Sequence, residues 1–408
     1  MNSPERRRRE ILYATLLLAA AILLFWWRIW IPSPTDRLHF SDDVLVKDYP
    51  TRIGLYRILL SGHLPLWDPY QFGGWPGIAN CEAGFFYPFN FVLLPFVYAP
   101  ETAFTVTEWL ILFHFFIAGL GAFRLARHAG ITFEGAVLAA VAFTFCGFHC
   151  AHSKHTNMLF AFAWFPWIFL QLEHWLAERT SLSLLRACLL LGLSFTAGHP
   201  QASLYMSLVL LSRAMFAAFT HHPRPAESAG KEAAQMLLPI LAIILLAFAL
   251  TAIQWLPTRE LILQSARAEA NQYQQSSMFS LPPYELIEAA LPEVFRPWSQ
   301  IEVFYWGIPP LLLTLIMIFT GVAASLLQFM LWLALAAVLL SLGEHFFLYD
   351  LTYLLVPGTA WVRAPSRWIY FASLPIALSS GYALDSLRET TAGALHRLAN
   401  QIRPTSIH

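Results

Sequence analysis

Apolar residues are gathered into ten separated runs, most of them about as long as a helix needs to cross a bilayer. This succession constrains the fold more than any other feature, because backbone in hydrocarbon has no water to bond with and must satisfy its own polar groups. The runs lie at about Ile11–Ile31, Ala103–Phe123, Phe133–Cys150, Asn157–Leu172, Leu184–Ala197, Gln201–Phe219, Gln235–Trp255, Trp306–Gly321, Ser325–Leu342 and Trp368–Leu384. Only 12% of the residues are charged and mean hydropathy is +0.55, whereas a soluble domain is about a quarter charged. A soluble core cannot absorb that much apolar surface. The expectation is an all-α polytopic membrane protein, a bundle of about ten transmembrane helices with structured extracytoplasmic loops.

Charge sets the orientation. Arg6, Arg7, Arg8 and Arg9 precede the first run, which is longer than a signal-peptide core and has no small-residue cleavage site after it. It reads as a retained first helix with a cytoplasmic flank. The even-numbered connections then carry Arg124 and Arg127, Arg179 and Arg186, Arg213, Arg224 and Lys231, and the tail Arg388, Arg397 and Arg403, as positive-inside bias requires. Both termini fall in the cytoplasm. Residues 1–31 form the basic N-terminus and first span, 32–101 a first extracytoplasmic loop with an acidic motif, and 102–256 spans two to seven. Residues 257–305 form a second large outer loop, 306–385 spans eight to ten, and 386–408 a cytoplasmic tail. The run Gly84–Tyr98, broken by Pro88 and Pro95, reads as an interfacial or re-entrant piece. No internal repeat is found.

Long loops on one face are where function is expected. Asp42, Asp43 and Asp48 cluster soon after the first helix. A carboxylate at the membrane surface acts as a general base or holds a divalent cation, with burial tuning its acidity. The structural alternative is that Asp42 caps a short helix and Asp48 pairs with Lys47 or Arg52. Trp67-Asp68-Pro69 and Gly73-Gly74 are turn chemistry that scaffolds the loop. Basic residues on this face run against the charge bias: Arg52, Arg57, Lys154, Arg259, Arg267, Arg363 and Arg367. Such residues suit a phosphate, or they snorkel to headgroups and pair with Glu260, Glu269 and Asp350.

His149, His152 and His155 are spaced to share a helical face, but Lys154 among them is a poor neighbour for a metal, which favours hydrogen bonding or substrate contact. His199 and Gln201 flank a proline that starts a helix, which turns both toward the outer cavity. Tryptophans near helix ends (Trp26, Trp27, Trp164, Trp167, Trp255, Trp306, Trp361, Trp368) are explained by an interfacial belt.

These motifs, taken in order, resemble the YfhO family of bacterial membrane proteins, of the GT-C class of glycosyltransferases. The resemblance is carried by Asp43 through Tyr49-Pro50, Gly62-His-Leu-Pro-Leu-Trp-Asp-Pro69, Gly73-Gly-Trp-Pro76 and Phe86-Tyr-Pro88. It continues through Gly198-His-Pro-Gln201, Gln254-Trp-Leu-Pro-Thr-Arg-Glu260 with Ser265, Tyr305-Trp-Gly307 and Arg363-Ala-Pro-Ser-Arg-Trp368. Members of that family are often longer, so this chain reads as a short one. The resemblance implies a GT-C-like bundle and transfer of a sugar from a polyprenyl-phosphate donor to an extracytoplasmic glycan or lipid acceptor. It makes Asp43 the base, with Asp42 and Asp48 as alternates. Arg259, Arg363, Arg367, Lys154 and Arg57 would hold the donor phosphate. His63, Trp67, His155, His199, Gln201, Glu260 and Tyr305 would line the cavity. The cofactor is left open: a divalent cation, Mg2+ or Mn2+, would be held by Asp43 and Asp48. Membrane lipids are expected partners and nucleic acid is not. Two rival readings stand beside the transferase, a flippase or exporter of a lipid-linked substrate and a catalytically silent scaffold. The scaffold reading expects the outer aspartates to point into salt bridges.

Overall fold

Helix carries nearly all of the apolar sequence, as the need to satisfy backbone groups internally demands. The computed structural model describes residues 4–31, 40, 43–220, 226–265, 273–292, 294, 304–321 and 324–402. The principal helices are α1 (Pro4–Phe25), α2 (Tyr49–Leu60), α3 (Pro100–His128), α4 (Phe133–Thr144), α5 (Gly147–Ala151), α6 (Thr156–Phe162), α7 (Phe165–Glu178) and α8 (Ser181–Thr196). They are followed by α9 (Pro200–Thr220), α10 (Ala226–Leu250), α11 (Ala252–Leu263), α12 (Ile308–Thr320), α13 (Ser325–Ser341), α14 (Phe347–Leu355) and α15 (Tyr370–Ile402). Among the described residues the only β pairing is an isolated bridge between Asp68 and Trp75.

Each of the ten apolar runs falls on helix. By length and apolarity, four helical stretches among the described residues suffice to cross a membrane: Pro100–His128, Phe133–Lys154, Pro200–Thr220 and Gly230–Leu250. Ser181–Thr196, Ile308–Thr320 and Ser325–Ser341 are apolar but shorter. The fourth run is not one helix, because the chain breaks between α6 and α7 just before Pro166. The Pro88–Phe96 segment of the outer loop forms a 3-10 helix.

Packing follows from where side chains are small. Helix α1 buries Ala14, Leu18 and Ile22, spaced four apart, while Leu12, Leu16, Leu17 and Leu24 stay exposed on its other faces. Helices α4 and α15 cross backbone to backbone: a Cβ on Gly381 would lie 2.4 Å from the Gly135 carbonyl oxygen, and one on Gly135 2.6 Å from that of Gly381. Asp385 clamps the start of α4, accepting from the Thr132 amide at 2.6 Å and its hydroxyl at 2.5 Å.

Two expectations need correcting. Arg213 is not in a connection. It sits inside α9, 3% exposed, and donates through Nε and Nη2 to the two carboxylate oxygens of Glu173 on α7 at 2.7 and 3.0 Å. Trp164 and Trp368 are buried rather than in an interfacial belt. The Trp164 indole donates to the Tyr87 hydroxyl at 2.9 Å, and Trp368 stacks on Tyr205 with centroids 3.9 Å apart.

Candidate functional site

The chain after α1 returns to the bundle through a π-helical turn, Val44–Asp48, that runs directly into α2. Asp48 and Arg52, four apart, therefore share a face, and both are buried at 2% and 0% exposure. Thr156, the first residue of α6, lies between them. Its amide and hydroxyl donate to Asp48 Oδ2 at 3.0 and 2.5 Å, and its hydroxyl oxygen accepts from Arg52 Nη2 at 2.6 Å. Arg52 Nε donates to the Ala83 carbonyl at 2.8 Å, and the guanidinium lies over the Phe160 ring. Burial pushes the Asp48 carboxyl up, against the Arg52 charge and the Thr156 hydrogen bonds. Burial likewise pulls Arg52 down, against Asp48. Among the described residues, Asp48 Oδ1 and Arg52 Nη1 have no hydrogen-bond partner.

Above this frame lies a half-exposed ionic layer. Lys47 Nζ is 2.7 Å from Glu82 Oε2, 3.5 Å from Asp43 Oδ2 and 4.0 Å from Asp48 Oδ1. Burial works to lower the Lys47 pKa, but the Glu82 charge and hydrogen bond, joined by Asp48 and Asp43, outweigh it and raise the pKa above 10.5. His155 Nε2 approaches Asp43 Oδ2 at 3.9 Å, and the Nδ1 atoms of His155 and His152 are 2.9 Å apart. His149 turns away from both: its Nδ1 donates to the Phe143 carbonyl in the core. Spacing therefore brought two of the three histidines together, because the chain leaves the α-helix after Ala151.

A second constellation gathers around the start of α9. Arg367 Nη1 donates to Gln201 Oε1 at 2.9 Å and stands 3.4 Å from His199 Nε2. Gln201 Nε2 donates to the carbonyl of Arg363 at 2.6 Å and to the Tyr205 hydroxyl at 2.9 Å. His199 and Gln201 are largely buried, Arg367 is half-buried and Arg363 is exposed. The two constellations meet at one turn, Cys81–Gly84. Arg52 holds its Ala83 carbonyl from one side. On the other, Gly198 packs so closely that a Cβ would lie 2.5 Å from the Cys81 carbonyl oxygen. Gly198 itself has φ +103°, a conformation that suits glycine alone.

The remaining expected residues are scattered around this centre. Asp42 and Arg267 lie outside the described residues. Arg57 donates through Nε and Nη2 to the Val97 carbonyl at 3.3 and 3.2 Å and lies over the Tyr98 ring. His63 is exposed and bonds Ser61, and Trp67 packs over Gly74. Arg259 and Glu260 are exposed on α11. The Tyr305 carbonyl accepts from the Gly147 amide at 2.6 Å, holding the start of the histidine segment. Lys154 is half-buried within that segment.

Glu82 and Thr156 escaped sequence reasoning, and Gln254 and Thr258 were quoted in a motif without a site role. Gln254 and Thr258 fasten the outer loop by donating to the carbonyls of Ile78 and Ala79 at 2.9 Å each. A signal existed for Glu82, a lone carboxylate just ahead of the apolar run that starts at Gly84.

As they stand, the residues named for a divalent cation do not fit one. Asp48 Oδ2 is taken by Thr156, and the Lys47 ammonium occupies the space between Asp43 and Asp48. Among the described residues no group of three His, Cys, Asp or Glu is arranged to hold a metal ion.

No family model matches the sequence, and no curated protein matches it. Among solved structures it is similar to the archaeal oligosaccharyltransferase AglB from Archaeoglobus fulgidus, solved in complex with an inhibitory peptide and a dolichol-phosphate. Identity is 13% and the TM-score 0.47, over 98% of this chain and 53% of that one. The chain thus spans about half the length of that protein. A likeness of that size assigns neither family nor activity.

Proposed function

We propose that the protein is a membrane glycosyltransferase of GT-C type, resembling the YfhO family, which moves a sugar from a polyprenyl-phosphate donor to a glycan or lipid acceptor on the extracytoplasmic face of a bacterial inner membrane. The observation that carries this reading is a carboxylate, Asp43, about one-third exposed at the edge of a buried ionic frame. A single turn joins that frame to the Arg367–Gln201–His199 constellation. Asp43 takes the proton of the acceptor hydroxyl as that oxygen bonds to the anomeric carbon. The anomeric carbon–oxygen bond to the lipid phosphate breaks at the same centre, and the bonding pair leaves with the phosphate. Arg367, with Lys154 and Arg363, supplies positive charge for the departing phosphate. Positioning by a rigid frame does the rest.

One observation favours a second reading. Asp43 and Asp48 both face Lys47, as a silent scaffold would have them. The two readings separate in lipid nanodiscs supplied with polyprenyl-phosphate sugars. The transferase releases lipid phosphate, and Asp43→Asn lowers that release by about 10²–10⁴-fold, the usual share of a general base. Release that survives the substitution removes Asp43 from the base position. Tight lipid-phosphate binding without release from any donor supports the scaffold.

A further inference from the structure

Three carboxylates surround one ammonium at the outer cluster. Lys47 Nζ has Glu82 at hydrogen-bond distance and Asp43 and Asp48 at 3.5 and 4.0 Å. The side chains of Lys47 and Glu82 keep 40% of their surface and Asp43 35%, so water and small ions reach the layer from outside. From below, the buried Asp48 points Oδ1, which has no hydrogen-bond partner among the described residues, toward the same ammonium. Hard oxygen donors converging from one π-helical turn, which Asp43 precedes and Asp48 ends, and from the Cys81–Gly84 turn are the ligand type that Mg2+ and Mn2+ prefer. Here the position at their focus belongs to a side chain.

We propose that Lys47 is the resident cation of a carboxylate site formed by Asp43, Asp48 and Glu82, and that the site binds a divalent cation only when Lys47 is removed. Without the ammonium, Asp43, Asp48 and Glu82 repel each other, with the Arg52 guanidinium beneath Asp48 in partial compensation. The repulsion is relieved by proton uptake or by capture of a cation. A small octahedral cation bonds oxygen at about 2.0–2.1 Å, so an ion at the Nζ position would draw Glu82, now 2.7 Å away, in by about 0.6 Å and reach Asp43 and Asp48, at 3.5 and 4.0 Å, through retained water. With Lys47 present, a second cation would face an ammonium that its neighbours keep protonated. The catalytic part of this inference rests on the transferase reading, whereas the binding part does not.

Mn2+ alone is the probe, titrated into the full chain in nanodiscs of neutral lipid while the free-ion paramagnetic resonance signal is followed. Lys47→Met should bind one Mn2+ per chain at least about tenfold more tightly than wild type. The gain should vanish in Lys47→Met/Asp48→Asn and be absent in Lys47→Arg. Lys47→Gln serves if the methionine variant does not fold. Wild-type binding that Asp48→Asn abolishes would overturn the proposal, as would the absence of any gain in folded Lys47→Met and Lys47→Gln. Donor turnover is measured separately: chelator should leave wild-type release intact, and loss with chelator restored by Mn2+ would overturn the catalytic part.

Discussion

Two acid–base assemblies lie toward opposite ends of the helical bundle, and they are built differently. The Glu173–Arg213 pair is closed. Two parallel hydrogen bonds at 2.7 and 3.0 Å join side chains that are 6% and 3% exposed, and the guanidinium lies over the rings of Phe216 and Phe329. The outer assembly is open. Its ion pairs range from 2.7 to 4.0 Å, its upper members are half-exposed, and a single ammonium serves three carboxylates. A closed pair gives its charges nothing further to do, so its value is structural. An open assembly holds charge in readiness and can take part in chemistry. Breaking the first should unfold the protein without touching catalysis selectively, and breaking the second should do the reverse.

The widest separation is expected at Asp43. Asp43→Asn should cut lipid-phosphate release by about 10²–10⁴-fold while moving unfolding free energy by less than about 0.5 kcal/mol, as for other partly exposed sites. A large loss of stability there would break the contrast. At the other end, Arg213→Met strands the Glu173 carboxylate and should cost about 3–5 kcal/mol, read from denaturant unfolding in detergent. Any activity loss should track the folded fraction. Arg367→Lys keeps the charge but loses the planar fork that engages Gln201, so the KM for donor should rise about tenfold. An unchanged KM takes Arg367 off the phosphate side.

The smallest effect concerns pH. The Lys47 pKa is raised on folding, so its contribution is fully present below the ordinary value of 10.5 and is lost as pH rises through the folded value. Wild type should therefore lose stability relative to Lys47→Met only above that pH.

What the sequence disclosed follows the range of the forces involved. The helices were legible because apolar runs are local, and so was the turn at Asp68, whose carboxylate accepts from the Tyr70 amide and the Gln71 side chain. The pairing of Asp48 with Lys47 or Arg52 was also foreseen, since those residues lie within one helical turn. Thr156 was not, because it reaches Asp48 across 108 positions of chain and Arg52 across 104. Arg213 misled for the opposite reason. Its charge suggested a loop, whereas a carboxylate 40 positions earlier allows it to stay inside the helix. Of the candidate site, the residue types were readable and their grouping into two constellations was not.

The Cys81–Gly84 turn carries a consequence for how such a chain can change over generations. One side of the turn is fixed by an arginine buried beneath the carboxylates, the other by a glycine one residue ahead of the histidine that neighbours Arg367. A bulkier residue at position 198 would displace the turn and with it Glu82, so acid and base sides would be disturbed by a single event. Positions 52, 82 and 198 should therefore drift together or not at all, and in any lineage of this protein a substitution at one should be accompanied by compensating changes at the others.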